Sequence, residues 1–173
     1  MADLLNFGFK ETSPEKLGFD PFSRIGAQWM LVTAGAEGSF NTMTASWGFA
    51  GVIWGKPGVQ IVIRPQRYTK EFLDKNEYFT LSFFPEEYRK ALALCGRVSG
   101  RDTDKVKETG LEPVFTDETV TFKQAELVLV CKKLYVQQLE SSCFTERDLD
   151  GANYAAGDYH FAYIGEIVKA YVK

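Results

Sequence analysis

The chain contains one histidine, His160, and only three cysteines, Cys95, Cys131 and Cys143, with no CxxC pair among them. So few nitrogen and sulfur ligands, so widely spaced, argue against a zinc centre, and no metal is expected. The odd cysteine count likewise offers no disulfide framework. Basic residues are in slight deficit, 20 Lys and Arg against 23 Asp and Glu, for a formal charge of −3 and a pI near 5.3. A nucleic-acid partner, which calls for a basic excess, is therefore not expected. Apolar runs fall far short of the ~20 residues that span a bilayer, so no membrane partner is expected either. The opening Met1-Ala2-Asp3-Leu4-Leu5 lacks the basic and apolar regions of a signal peptide. Free thiols without such a leader point to a reducing, cytoplasmic setting.

Low-complexity tracts and internal repeats are also missing. The length suits one domain over residues 1–173, long enough to bury roughly 70% of its unfolded surface without staples. Aromatic residues are abundant, with 14 Phe and 8 Tyr, which suits a β-rich core. Residues 1–26 are mixed and turn-rich (Ser13-Pro14, Asp20-Pro21) and read as a wrapping segment. From Gln28, Trp29, Leu31 and Thr33 alternate with Met30, Val32 and Ala34, as in a strand. Gly35-Ala36-Glu37-Gly38 reads as a hairpin turn and not as a dinucleotide fingerprint, because no third glycine or helix follows. Further strands are predicted over Thr42–Ala50 and Val59–Arg64, separated by a turn at Gly55-Lys56-Pro57-Gly58.

Thr69 is placed to cap a short helix closed by Asn76. Tyr78–Phe84 alternates with Phe79, Leu81 and Phe83 inward; a helix then runs from Pro85 to Leu94, with Gly96 as its stop. Asp102–Glu108 reads as another short helix ending at Gly110, followed by strands over Glu118–Lys123, Ala125–Leu139 and Phe161–Val172. Six or seven strands, a few short helices and no β-α alternation predict a mainly β fold, an antiparallel barrel and not a parallel Rossmann sheet.

Four segments carry the residues suited to chemistry. Arg64-Pro65-Gln66-Arg67-Tyr68-Thr69 packs two guanidinium forks, a hydroxyl and a helix start into one turn, which suits a phosphate dianion as well as a solvated surface turn. Asn41-Thr42-Met43-Thr44-Ala45-Ser46-Trp47-Gly48 interleaves donors and acceptors with Met43 and Trp47. Its small residues would let a flat heteroaromatic ligand lie against the backbone; a half-buried strand with a hydroxyl-bearing face is the plain alternative. In the Cys95–Lys105 segment, Ser99-Gly100 offers a hydroxyl and backbone amides, and Lys105 a point charge. Asp102 and Asp104 must then point away, cap a helix or pair with Arg101, while the Cys95 thiol at a helix end reads as packed. The last segment surrounds His160, which on its own fits a structural role as well as a functional one.

In order and spacing these segments resemble the flavin reductase-like, FMN-binding split-barrel family, and within it the flavoredoxin-like branch, over roughly residues 25–170. The resemblance implies a Greek-key split barrel, usually a homodimer, with FMN bound non-covalently near the subunit interface. Carried onto this chain, it implies that Asn41, Thr42, Met43, Thr44 and Ser46 line the ring edge and ribityl chain, with Trp47 as a wall. Arg64, Arg67, Tyr68 and Thr69 would hold the phosphate, with the Cys95 segment closing over it through Ser99, Gly100 and Lys105. His160 matches a histidine on the nicotinamide side, although Tyr159 stands between it and Asp158 where many relatives place the aspartate directly before the histidine. The implied function is an NAD(P)H-dependent flavin reductase passing hydride to FMN N5 and electrons onward. The alternative is a flavoredoxin-type electron carrier serving a partner redox protein without NAD(P)H activity. No NAD(P) fingerprint is present, so the pyridine nucleotide follows from the resemblance alone.

Overall fold

The structure is a computed structural model that describes residues 3–173. The first segment adds a strand: β1 (Lys10–Thr12) pairs with the last strand of the chain, and Leu4 and Phe9 are buried beside it. Its Lys-Glu-Thr composition has no apolar alternation, so the pairing left no trace in the sequence. β2 (Met30–Ala36) and β3 (Ser39–Ala45) then form a hairpin about Glu37-Gly38. Met30, Val32 and Ala34 enter one apolar cluster and Leu31 another, so β2 is buried on both faces.

The strand predicted over Thr42–Ala50 is two strands. β3 stops at Ala45, and β4 (Gly48–Ile53) begins after the link Ser46-Trp47. β4 pairs with β5 (Lys56–Ile63) through the two-residue turn Trp54-Gly55, with φ of 52° and 70° as a type I′ hairpin requires. The turn therefore falls earlier than expected, and Lys56-Pro57-Gly58 belongs to β5. α1 (Tyr68–Lys75) has Arg67, not Thr69, at its N-cap; at its other end Asn76 closes it through Nδ2, which donates to the Phe72 carbonyl at 2.8 Å. β6 (Tyr78–Phe83) turns Phe79, Leu81 and Phe83 into the core as expected.

α2 (Arg89–Arg97) runs through Gly96 instead of stopping there. α3 (Lys105–Thr109) is capped by Asp104 and ended by Gly110 in the left-handed region. β7 (Pro113–Phe115) and β8 (Val120–Phe122) make a small hairpin, and β9 (Leu127–Gln138), α4 (Arg147–Tyr154) and β10 (Phe161–Val172) complete the fold. Neither β7 nor α4 was apparent in the sequence.

The main sheet has eight strands in the order β3-β2-β6-β9-β10-β5-β4, with β1 on β10; with the β7–β8 hairpin this exceeds the six or seven strands expected. Every pairing is antiparallel. Inward residues of β2, β3, β5, β6, β9 and β10 share one apolar cluster, so the sheet is rolled into a barrel. β3 and β4, consecutive in the chain, stand at opposite ends of the strand order. The barrel is thus split between them and bridged only by Ser46-Trp47. Register shifts in the β9–β10 ladder bend the sheet at Gly165, where any Cβ would come within 2.9 Å of the Phe79 ring.

Candidate functional site

The split brings distant parts of the chain together. Ile63 at the end of β5 pairs with Phe161 at the start of β10, so Arg64 and His160 leave the ladder as neighbours. The Ser46-Trp47 link arrives beside them, and α2 presents Gly96, which approaches Thr44 closely enough that a Cβ there would lie 3.3 Å away. Together they enclose a cleft of about 330 Å³ lined by Met43, Thr44, Ser46, Trp47, Arg64, Arg67 and His160. A narrower cleft of about 140 Å³ adjoins it, lined by Asn41, Tyr68, Thr69, Ser99, Gly100 and Lys105. Met43 and Arg67 line both, which makes them two ends of one trough.

The inner end is rich in positive charge. Lys105 is almost fully buried, and its Nζ donates to the Thr42 carbonyl at 2.7 Å and the Cys95 carbonyl at 2.9 Å. Burial pulls its ammonium down to about 8; Cys95 opposes that shift and Arg67 reinforces it. Arg67 donates through Nη1 to the Gly96 carbonyl at 2.8 Å, and burial lowers its affinity for the proton as well. Among the described residues neither cation has a carboxylate within ion-pair distance. Of the loop's charged residues, Asp104 caps α3, and Arg101 pairs with Glu71 and lies over the Tyr68 ring. Asn41 donates to the Thr69 hydroxyl at 2.8 Å, and the Ser99–Lys105 loop closes on it so tightly that a Cβ on Gly100 would overlap Asn41 Oδ1 at 2.0 Å. No side chain caps α1, although its Lys70 amide donates to the Arg67 carbonyl at 2.9 Å.

The outer end is neutralised from within. Arg64 pairs with Asp158 and donates to the Asn153 carbonyl at 3.0 Å. His160 stands 5.4 Å from the Trp47 ring, centroid to centroid, with its Nδ1 2.8 Å from the Tyr154 hydroxyl. Burial lowers the imidazole pKa to about 4; Arg64 lowers it further and Asp158 opposes. The ring is therefore uncharged at neutral pH.

The profile of the family described as "Flavin reductase like domain" matches residues 22–173. The chain belongs to this family. No curated protein matches it. Among solved structures, flavoredoxin from Methanosarcina acetivorans is similar at 24% identity and a TM-score of 0.65, over 84% of this chain and 68% of that one. An FMN-binding domain of a flavin reductases-like enzyme from Shewanella baltica OS155 superposes at a TM-score of 0.68 and 18% identity, over 95% of this chain and 76% of that one. A Streptomyces globisporus C-1027 NADH:FAD oxidoreductase, in complex with NAD and FAD fragments, does so at 0.62 and 18%, over 84% and 74%. These likenesses establish the split-barrel fold.

Within this flavin reductase-like chain, most residues singled out from the sequence converge on the trough, with four changes of role. Arg64 is paired with Asp158 at the outer end, whereas Arg67 has no acid partner and lines both clefts. Thr69 lies inside α1, not at its cap, and its hydroxyl accepts from Asn41. Thr42 turns its hydroxyl onto Thr33 at 2.9 Å and reaches the site only through its carbonyl. Cys95 lines neither cleft; its thiol is buried and pushed up to about 11, and only its carbonyl meets Lys105. Asp158 bonds Arg64 and Gln66 and leaves His160 to Tyr154. Ala45, one of the small residues read as making room for a flat ligand, lines the cleft; sequence reasoning missed Val62 and Gly96 in the lining, and Tyr154 behind His160. Tyr154, in a polar segment, carried no signal.

Proposed function

We propose that this chain is a single-domain, FMN-binding oxidoreductase, reduced by NAD(P)H and delivering electrons to an acceptor. The observation that carries the reading is the pair of buried Lys105 and half-buried Arg67, neither with an acid partner among the described residues, at the inner end of a trough whose outer end is walled by Trp47 and His160. Buried cations are ordinarily paired. Two that lack an acid fit a ligand bringing a dianion, and the apolar outer cleft fits the flat ring at the ligand's other end.

The chemistry that bound flavin supplies is hydride acceptance at N5 from a dihydronicotinamide and electron delivery onward. The chain supplies orientation and charge. Arg67, Lys105 and the first amides of α1 would hold the phosphate, with Ser99 and Gly100 closing the loop over it. Met43 and Trp47 would flank the ring and exclude water, while Ser46 and the backbone of the link would meet its polar edge. Thr44 already donates to the Leu92 carbonyl, which holds α2 against this wall. Trp47 is half exposed, so the outer end is open enough for a nicotinamide to stack there.

The proposal extends to a homodimer. Phe49 and Val52 of the edge strand β4 and Trp54 of the turn that follows it are exposed, as is Tyr135 beside Trp54, ring centroids 6.5 Å apart. Such exposed apolar side chains along an edge strand that begins beside Trp47 suit a second copy of the chain.

The deciding experiment is the visible spectrum of the purified protein before and after anaerobic NADH or NADPH. The expected outcome is a flavin spectrum that either nucleotide bleaches. Bound flavin that both nucleotides leave oxidised would remove the reductase step and favour an electron carrier fed by a partner redox protein. A colourless protein that added FMN cannot turn yellow would remove flavin binding altogether.

A further inference from the structure

The chain's only histidine is tied to a tyrosine that no sequence motif announced. Tyr154, buried in the last turn of α4, places its hydroxyl 2.8 Å from His160 Nδ1. The groups around the imidazole are Arg64 from the end of β5, Asp158 and Tyr159 from the approach to β10, and Trp47 from the β3–β4 link. Asp158 is held by Arg64 and Gln66, so no carboxylate bonds the ring. The Tyr154 hydroxyl has no other hydrogen-bond partner among the described residues. Were Nδ1–H the donor, the phenolic O–H would be left in a buried place without an acceptor. The phenol therefore donates, Nδ1 accepts, and the ring proton sits on Nε2.

Nε2 in turn has no protein partner, yet it is not sealed: among the described residues the one enclosed, unpartnered side-chain nitrogen or oxygen is Thr119 Oγ1. The opening available to it is the cleft that His160 lines. We propose that Tyr154 is a positioning residue that holds His160 in the Nε2–H tautomer and aims that N–H, as a hydrogen-bond donor, at an acceptor atom of the ligand in the cleft. What the donor serves rests on the cleft being a redox-cofactor site; the tautomer itself does not.

A single histidine makes the test clean. Long-range ¹H–¹⁵N correlation on the labelled, flavin-free protein at pH 7 should show a protonated Nε2 and a bare Nδ1. Tyr154→Phe should shift the ring toward a mixture of tautomers. In the flavin-loaded variant, reduction by NAD(P)H should slow by roughly tenfold while FMN affinity stays within about twofold, the cost of one misdirected hydrogen bond. A wild-type Nδ1–H tautomer overturns the proposal, and so does an unchanged tautomer ratio in the folded variant. Unchanged reduction kinetics despite a changed ratio would overturn the donor role. Should the variant fail to fold, the wild-type spectrum still decides, and it decides equally well if the protein binds no FMN.

Discussion

At the outer end of the trough, Arg64 is matched by Asp158 and the imidazole beside it is uncharged; at the inner end, buried Lys105 and half-buried Arg67 have no acid in reach among the described residues. Both ends use cations set close to the termini of secondary elements, so residue type alone does not separate them. The difference lies in what completes each one. The outer end is electrostatically complete and can accept an uncharged ring. The inner end is held only by carbonyl dipoles, which stabilise a buried cation far less than a carboxylate does. Only an incoming anion completes it, so discrimination by charge is concentrated there.

The strongest way to break this contrast is Arg67→Ala. Loss of a charge-assisted contact should weaken FMN binding by about 1.5–3 kcal/mol, or roughly 10- to 150-fold, and leave riboflavin affinity nearly unchanged. Paired fluorescence titrations with the two flavins measure it. An equal loss for both would mean that Arg67 serves the ring and not the phosphate.

Why one end was easier to read than the other has a physical basis. Arg67, Thr69, Ser99, Gly100 and Lys105 lie in short runs whose types and spacing suit an anion, and the structure gathers them in one narrow cleft. The alternations of β2 and β6 were legible because each buries side chains at period two. The outer end depends on long-range register where Arg64 meets His160, because Ile63 pairs with Phe161, and on the turn between α4 and β10 where Tyr154 meets His160 six residues on. No local pattern encodes such meetings. Composition placed Arg64 beside Arg67, whereas pairing across the ladder placed it beside Asp158. β1 stayed hidden because its three residues are polar and pair along the sheet through backbone alone.

Lys105 sharpens the contrast through pH. Its ammonium loses its proton near 8 in the folded, ligand-free protein, against an ordinary value of 10.5. Between those values the unfolded chain holds more protons than the folded one, so this group makes the ligand-free protein more stable as pH rises from 8 to 10.5. Below 8 the penalty of the buried charge is fully present. A bound phosphate reverses the shift, so binding above pH 8 takes up a proton. FMN affinity should therefore fall by about tenfold between pH 7 and pH 9, riboflavin affinity should not, and Lys105→Met should flatten the FMN curve at a lower level. Parallel FMN curves for wild type and Lys105→Met would place the ammonium outside the phosphate's reach.

Arg64→Met carries the smallest expected effect on affinity and the sharpest bearing on the comparison. With Asp158 as its partner, Arg64 has little left to give a phosphate, so FMN affinity should change by less than about threefold. Its influence should appear in the imidazole instead. Arg64 helps burial hold His160 near 4 while Asp158 opposes, so its removal should raise the histidine pKa toward the ordinary 6.5. The sign carries into stability. A depressed histidine pKa contributes stability above 6.5 that is lost as pH falls toward 4, and a smaller shift should narrow that loss. Titration of the single histidine by NMR reads the pKa directly, and melting curves between pH 4 and 7 read the stability. If Arg64→Met instead weakened FMN as much as Arg67→Ala and spared riboflavin, the two guanidinium forks would share one phosphate in the loaded protein. The Asp158 pair would then be a state that the ligand breaks, and the two ends would be one site.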